Sequence, residues 1–288
     1  MTETMAGAAP ADDIDLPPVR SPTVLGIRRE TWPKILMPST MGFLGLVLWE
    51  VLVSVNAVPH YILPGPLLIA RTLWTDWGTL SGSLWITLQI TGMALTVAVV
   101  LGVALSILFS LSKWVELSFF PYAVILQVTP IVSIAPLIII WVDNTYLSLL
   151  ICAWIVAFFP ILSNTTTGLN SADHNLRNLF ELYGATRWQT LRRLRLPAAM
   201  PYVLAGLRIS GGLALIGAVV AEFVAGSGGV ESGLAYRILE SGYRLQIPRM
   251  FAALIMISMS GIVIFLAMSL ITHLALRRWH ESAIKREN

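Results

Sequence analysis

The sequence has 288 residues, of which 56% are hydrophobic and 12% charged, whereas a soluble globular domain carries roughly 25% charged residues. This composition excludes a water-soluble body. The net charge of +3 and the pI near 9.2 come from basic residues that flank apolar segments, a pattern typical of membrane topology and not of a nucleic-acid surface. The single cysteine, Cys152, excludes a disulfide framework within one chain and a cysteine-rich metal site.

Residues 1–33 contain three aspartates and, before Trp32, four prolines, and they lack the apolar core of a signal peptide. We therefore predict a disordered cytoplasmic tail over residues 1–33. A membrane domain should follow over residues 34–276, and residues 277–288 should form a short cytoplasmic C-terminal tail.

Six apolar stretches are long enough to cross a bilayer, which takes about 20 residues. Such stretches become helices because the backbone must satisfy its own hydrogen bonds in lipid. Before the second stretch, residues 67–77 follow a proline-rich segment and carry Trp74 and Trp77, which predicts a short helix at the headgroup level. The fold class is thus an all-α membrane protein with six transmembrane helices. Those helices are predicted over residues 35–58, 84–110, 117–141, 146–169, 200–224 and 250–276.

The distribution of Lys and Arg predicts the orientation. With the N-terminus in the cytoplasm, the inside segments hold 14 of these residues and the outside segments hold 4. An odd number of spans would place one basic terminus outside. The positive-inside rule therefore predicts six spans with both termini in the cytoplasm.

The largest polar interruption, residues 170–199, is too long for a simple connection between spans, and long ordered loops are usually functional. Its first half has apolar residues at three- and four-residue spacing, which predicts an amphipathic helix that ends at Gly184. Those apolar residues are Leu176, Leu179, Phe180 and Tyr183. A second, basic helix is predicted over residues 187–194, and Pro197 precedes the return to the membrane. We expect this pair of helices to dock a soluble partner.

This loop resembles the signature of the permease subunits of ABC importers that use an external binding protein. The signature reads Glu-Ala-Ala, three residues, Gly, nine residues, Ile, any residue, Leu-Pro. Here Gly184 is followed by nine residues and then by Leu-Arg-Leu-Pro at residues 194–197. The Glu-Ala-Ala positions depart from the signature because residues 178–180 are Asn-Leu-Phe, and Glu181 follows as the stand-in for the acid.

The resemblance extends to the nitrate, sulfonate and taurine branch of these permeases. It covers most of residues 45–276 and is carried by short stretches at residues 48–50, 61–64, 182–189, 196–201, 205–210 and 220–223. It implies a homodimer in the bacterial inner membrane, two separate ATPase subunits and an extracytoplasmic solute-binding protein. The implied solute is a small anion of the sulfonate, taurine or nitrate type, with a pyrimidine or other vitamin precursor as the alternative.

The resemblance also implies that the loop inserts into a cleft of the ATPase. This chain has no Gly-x-x-x-x-Gly-Lys-Ser/Thr run for nucleotide phosphates. We therefore expect no cofactor in this chain and no enzymatic activity of its own, with ATP and Mg²⁺ bound by the partner. The implied docking residues are Leu179, Phe180, Glu181, Tyr183, Gly184, Ala185, Thr186, Arg187, Trp188, Gln189, Leu196 and Pro197.

Polar residues and prolines in the third span suggest that it lines the solute path, because polar groups in a span usually face protein or a water-lined cavity. The residues are Gln127, Thr129, Pro130 and Ser133, with Pro136 one turn further. A kinked helix whose polar groups are satisfied locally is the alternative. Glu222, beside a glycine-rich segment at the outer side, is predicted to act in the pathway as a gate, and a structural pair is the alternative.

Two other classes of protein fit the sequence less well. An intramembrane serine protease would need Ser227 and His273 together, but the predicted topology places them about a membrane thickness apart. A proton-coupled secondary transporter usually shows internal repeats and intramembrane acid pairs, and the sequence has neither. Dependence of uptake on ATP or on a proton gradient separates this last class from an ABC permease.

Overall fold

The computed structural model describes residues 32–226 and 232–277, together with two short strands, β1 (Thr23–Val24) and β2 (Ile27–Arg28), which pair in antiparallel fashion. Most of the predicted N-terminal tail and residues 278–288 of the predicted C-terminal tail lie outside the described residues. Disorder there stays a prediction. The chain divides into two compact units, residues 1–55 and residues 56–288.

The described part of the chain is otherwise helical, which confirms the all-α fold class. The first unit contains α1 (Trp32–Val55). The second unit contains α2 (Pro66–Thr75), α3 (Trp77–Leu111), α4 (Lys113–Val128), α5 (Ile131–Trp141), α6 (Thr145–Asn170), α7 (His174–Leu182), α8 (Arg187–Thr190), α9 (Leu196–Ala225), α10 (Leu234–Tyr243) and α11 (Ile247–Leu276).

Among the described residues, five helices are long and apolar enough to cross a membrane, and the count is six when α4 and α5 form one broken span. The prediction of a single helix over residues 117–141 is wrong: α4 and α5 meet at a bend of 103°. The break lies at Thr129 and Pro130, which are both extended. Proline has no N–H to donate and keeps the residue before it out of the helical region, so the helix stops there.

Helix α6 lies between α3 and α9, and small residues let these helices approach closely. A Cβ atom added at Gly217 of α9 would lie 2.9 Å from Ala153 Cα, and one at Gly206 would lie 2.9 Å from the carbonyl oxygen of Pro160. Buried alanines and aliphatic side chains of α3, α5, α6 and α9 form one core cluster. Close packing of this kind replaces the hydrophobic effect as the force that associates helices in lipid.

The prediction of separate helices on the two sides of Pro197 is also wrong. The chain is continuously helical from Arg187 to Ala225, and a π-helical turn, Leu191–Arg195, joins α8 to α9. The wider turn directly precedes Pro197, whose ring removes one donor of the helical ladder. The loop therefore enters the fifth span as part of the same helix.

Candidate functional site

The connection between α6 and α9, residues 171–195, is called the α6–α9 loop below. Its first helix, α7, is capped by Asp173, whose Oδ1 accepts hydrogen bonds from the amides of Asn175 and Leu176 at 2.7 and 3.2 Å. The helix ends at Leu182, and Gly184 follows with φ +68°. Because this left-handed conformation favours glycine, the prediction that Gly184 terminates the helix is confirmed.

Helix α8 then begins with a capping box. Thr186 Oγ1 accepts from the Gln189 amide at 3.3 Å, and Gln189 Oε1 accepts from the Thr186 amide at 2.8 Å. Two residues of the predicted docking set thus have a structural role at the helix start, since they satisfy amides that the helix leaves free.

The α6–α9 loop is fastened to the ends of the spans. Leu191 is fully buried and forms a small core with Leu169 and Ala199. Arg195 Nη1 donates to the carbonyl oxygen of Ser110 at 2.8 Å, at the end of α3. The loop therefore has apolar and polar contacts with the ends of three spans, α3, α6 and α9.

An open cavity of about 430 Å³ lies at the turn between α7 and α8. It is lined by Leu179, Phe180, Tyr183, Gly184, Ala185, Gln189 and Arg193. Tyr183 is 83% exposed and Leu179 is also exposed, so the apolar stripe predicted for α7 has no covering element in the described part of the chain. Gln189 and Arg193 add polar groups to this lining, and exposed apolar side chains rimmed by polar residues are typical of an interaction site. We call this feature the apolar groove.

The other predicted docking residues lie around the apolar groove and not in it. Glu181 and Arg187 line a second cavity, between the loop and the end of α3. Trp188 is exposed, whereas Leu196 and Pro197 are half-buried within the continuous helix. The structure thus brings together six of the twelve predicted residues in the groove, with Arg193 in addition.

The residues predicted to line the solute path surround the break between α4 and α5. Gln127, Pro130 and Ser133 are exposed, and Thr129 Oγ1 donates to the carbonyl oxygen of Ile125 at 2.7 Å. Interrupted helices occur at membrane depth only where protein buries them or where they line a water-filled cavity. The structure places these residues at the break, and their role in the solute path stays a prediction.

Glu222 lies near the end of α9 and is 3% exposed. Its Oε1 accepts from Thr87 Oγ1 of α3 at 2.8 Å, and its Oε2 accepts from the Ala235 amide at 2.9 Å. Thr87 Oγ1 in turn accepts from the Leu234 amide at 2.9 Å. The carboxyl group thus holds the first turn of α10 against α3 and α9, satisfying amides that a helix start leaves free. Gly233 packs directly on this carboxyl group.

Sequence reasoning missed Thr87 and Gly233 as partners of Glu222. The acid itself stands out because it is ionisable and lies in a span. Its partners are 135 and 11 residues away along the chain, and a threonine in an apolar helix carries no signal of its own.

A second polar cluster continues along α10. Arg237 donates from Nε to Ser83 Oγ at 2.9 Å and forms an ion pair with Glu240 at 2.9 Å. Arg244 pairs with the same carboxylate at 3.1 Å. The hydrogen bond from Arg237, together with the positive charges of Arg237, Arg244 and Arg249, holds the pKa of Glu240 below its usual value.

The remaining ionisable residues do not form a catalytic constellation in the described ranges. Arg208 lies over the Phe265 ring, 4.4 Å from its centroid, and His273 is exposed. Ser227 lies outside the described residues. Within the described residues, no cluster of three His, Cys, Asp or Glu side chains could hold a metal ion.

Residues 94–280 match a family described as the binding-protein-dependent transport system inner membrane component. Among curated proteins, the chain is 34% identical to the riboflavin transport system permease protein of Chloroflexus aurantiacus, over 91% of this chain and 96% of the relative. It is 32% identical to the formylaminopyrimidine transport permease protein of Halalkalibacterium halodurans, over 84% and 95%. It is 30% identical to the putative aliphatic sulfonates transport permease protein of Bacillus subtilis, over 82% and 84%.

A solved structure, described as the crystal structure of an amino acid ABC transporter with histidines, has the same fold. It aligns with a TM-score of 0.56 and 19% identity, over 71% of this chain and 96% of that chain.

Proposed function

We propose a role for this chain from one premise: it belongs to the family of binding-protein-dependent transport system inner membrane components, as an ABC importer permease of the sulfonate and nitrate branch. Membership implies a multi-span inner-membrane protein with ATPase and binding-protein partners. It also makes the chain a transport component and not a catalyst. Within that role, we propose that the chain forms the translocation pathway for a small solute and receives its driving force through the α6–α9 loop.

The observation that carries this proposal is the apolar groove on the α6–α9 loop. Tyr183 and Leu179 stand exposed beside a glycine in the left-handed conformation, and burial of one such side chain contributes about 1.5–3 kcal/mol. An ATPase subunit that covers the groove supplies this burial. Glu181 lines the neighbouring cavity, and the groove offers Leu179 and Phe180 at the two positions where the family signature has alanines.

The attachment of the loop supports its action as a lever. Because α8, the π-helical turn and α9 form one continuous helix, a movement of the docked groove moves the fifth span as a rigid body. Arg195 and Leu191 extend that coupling to the end of α3 and to α6. Closure of two ATPase subunits around ATP would then switch the spans between inward-open and outward-open states, as a coupling between remote sites requires.

We propose that both termini and the α6–α9 loop are cytoplasmic and that two copies of the chain enclose one pathway. The excess of Lys and Arg in the segments on that side supports the orientation. Cysteines placed singly in the loop and at Tyr243 of α10 should react with a membrane-impermeant maleimide from opposite sides. Labelling of both from the same side would refute the topology. The mass of the purified complex decides the copy number.

Around the break, we propose that Gln127, Thr129, Pro130 and Ser133 line the pathway and that Glu222 closes its outer end by holding α10. The polar backbone at the break and the exposed side chains beside it support the first assignment. The hydrogen bonds from α3 and α10 to Glu222 support the second. Reactivity of cysteines placed at Gln127 and Ser133 towards a soluble thiol reagent, with and without ATP, tests the lining.

For the solute, we propose a small organic molecule that the binding protein selects. The riboflavin and formylaminopyrimidine permeases among the relatives favour a vitamin or vitamin precursor. Arg208 supports this choice over an inorganic anion, because its guanidinium lies over Phe265 and is occupied by an aromatic ring. The sulfonate or nitrate class stays the alternative. Binding assays on the partner solute-binding protein with both classes of solute decide between them.

The docking proposal is tested by changing the groove without disturbing the fold. Tyr183→Ser should lower affinity for the ATPase by about tenfold or more, since it removes an apolar contact that docking buries. Leu182→Ser is the matched control, because Leu182 is 85% exposed and does not line the groove. Equal co-purification of the ATPase with both variants would contradict docking in the groove.

The same reconstituted complex separates ATP-driven import from the secondary-transport alternative. Uptake into vesicles should require ATP and persist when a protonophore collapses the proton gradient. Uptake that follows the gradient and ignores ATP would refute the proposal.

A further inference from the structure

A second cavity, of about 390 Å³, lies between the α6–α9 loop and the end of α3, and Ala185 lines both this cavity and the apolar groove. Its charged lining consists of Lys113, Arg177, Arg187, Arg195 and Glu181. Four cations and one carboxylate leave a surplus of three positive charges. We call it the cationic cavity.

The positive charge of the cationic cavity is poorly compensated by the protein itself. Lys113 pairs with Glu116 at 2.8 Å, and its side chain is 70% exposed. In the part of the chain that the structure describes, no ion pair within 4.0 Å involves the three arginines or Glu181. Arg177 and Arg195 line the same cavity. Like charges held together in this way favour an anion between them.

Two of the arginines are fixed in place by backbone contacts at the end of α3. Arg187 Nη1 donates to the Leu111 carbonyl oxygen at 3.4 Å, and Arg195 Nη1 donates to the Ser110 carbonyl oxygen at 2.8 Å. Arg195 Nε is buried and has no hydrogen-bond partner among the described residues. A buried donor without an acceptor costs free energy. The backbone of α3 thus holds the two arginines in place, but the described residues offer no acceptor to this donor.

The cationic cavity lies at the end of a candidate membrane span, which is where lipid headgroups are expected. It adjoins Leu111, the last residue of α3, which is a candidate membrane span. Trp114, one residue beyond Lys113, is 82% exposed, and tryptophan concentrates at the membrane interface. Basic cavities at this level of a membrane domain suit anionic headgroups, and guanidinium groups match the oxygens of a phosphate with two parallel hydrogen bonds.

We infer that the cationic cavity binds the phosphate group of an anionic phospholipid, held by Arg177, Arg187 and Arg195. The bound headgroup would tie α7 to the end of α3 and so join the loop to the membrane surface. Two other occupants share part of this chemistry: a free phosphate ion, and an acidic surface of a partner protein. The exposed Trp114, which follows Lys113 in the chain, and the position of the cavity beside a candidate span favour the lipid.

The experiment uses the purified full chain in detergent, without ATPase, so that its failure is distinct from a failure of the docking proposal. Native mass spectrometry measures binding of phosphatidylglycerol and of phosphatidylcholine, and the thermal unfolding midpoint is recorded with each lipid and with inorganic phosphate. We expect preferential binding of phosphatidylglycerol. Arg177→Gln should weaken it by about tenfold or more, the scale of one lost hydrogen bond to a charged group.

A variant that is expected to strengthen lipid binding distinguishes an electrostatic effect from misfolding, because misfolding would weaken binding. Glu181→Gln removes the carboxylate from the cavity and should strengthen phosphatidylglycerol binding. Arg192→Gln is the matched control, since Arg192 is an exposed arginine of the adjacent π-helical turn that does not line the cavity. It should leave the affinity unchanged.

Each result of these measurements decides for or against a lipid phosphate in the cavity. Preference for phosphatidylglycerol that falls with Arg177→Gln and rises with Glu181→Gln supports a lipid phosphate. Stabilisation by inorganic phosphate alone, with the same response to both variants, supports the phosphate site and assigns it to a soluble ion. Equal binding of both lipids with no response to phosphate overturns the inference. In that case a separate co-purification, in which Arg177→Gln lowers the affinity for the ATPase, would assign the cavity to the partner protein.

Discussion

The contact between Gly233 and Glu222 leads to a sharp prediction about α10. A Cβ atom at position 233 would overlap the Glu222 carboxyl group. The Gly233→Ala variant must therefore displace that group from its two donors, the hydroxyl of Thr87 at 2.8 Å and the amide of Ala235 at 2.9 Å. We expect the first turn of α10 to detach from α3 and α9.

The magnitude follows from the two hydrogen bonds. Each lost bond to a buried carboxyl group costs about 1–3 kcal/mol, so the pair is worth about 2–6 kcal/mol to the docked state of α10. At 1.4 kcal/mol per factor of ten, amide hydrogen exchange at residues 234 and 235 should accelerate by about thirtyfold or more. Mass spectrometry of peptides from α10 measures this local opening.

Gly242→Ala is the control on the same helix. A Cβ atom there would meet only Met250 Sδ, at 3.8 Å, which is ordinary van der Waals contact. Exchange in α10 should therefore be unchanged or slower in this variant, because alanine favours the helix. If Gly233→Ala exchanges like Gly242→Ala, the carboxyl group does not hold α10 and the proposed role of Glu222 at the outer end of the pathway fails with it.

Two further predictions follow from packing and charge. Gly217→Ala places a Cβ atom 2.9 Å from Ala153 Cα and should lower the thermal unfolding midpoint. Gly82→Ala is the control, because a Cβ atom there meets open space and should leave the midpoint unchanged. Equal midpoints of the two variants would contradict the close approach of α6 and α9. The pKa of Glu240 is lowered in the folded protein, mainly by the hydrogen bond from Arg237. The ionised carboxylate therefore stabilises the fold above the usual glutamate pKa, and this stabilisation is lost as the pH falls through the lower pKa of the folded protein. Thermal midpoints of the wild type and Glu240→Gln should thus converge below about pH 4, and a gap that widens on acidification would refute the assignment.

The features of the candidate site that depend on residues close together in the sequence could be predicted. Gly184 and the apolar spacing on α7 depend on residues within one turn of each other, and the structure confirms the helix and its end. The partition of that loop into an apolar groove and a cationic cavity was not predictable. Lys113 and Arg177 meet through packing of distant segments, and no local pattern encodes that meeting.

The sequence by itself determined that the chain is helical and crosses the membrane, because apolar stretches of this length must satisfy their own backbone hydrogen bonds in lipid. It also indicated that prolines at positions 130 and 136 loosen the third span, without indicating which of them interrupts the helix. Only the tertiary structure decided that this interruption is a bend of 103° and that the fifth span runs unbroken through Pro197. The tertiary structure likewise decided that Glu222 is enclosed by Thr87 and Gly233. The physical reason is that spans are specified by local hydropathy, whereas close helix packing and buried polar contacts depend on pairs of residues far apart in the chain.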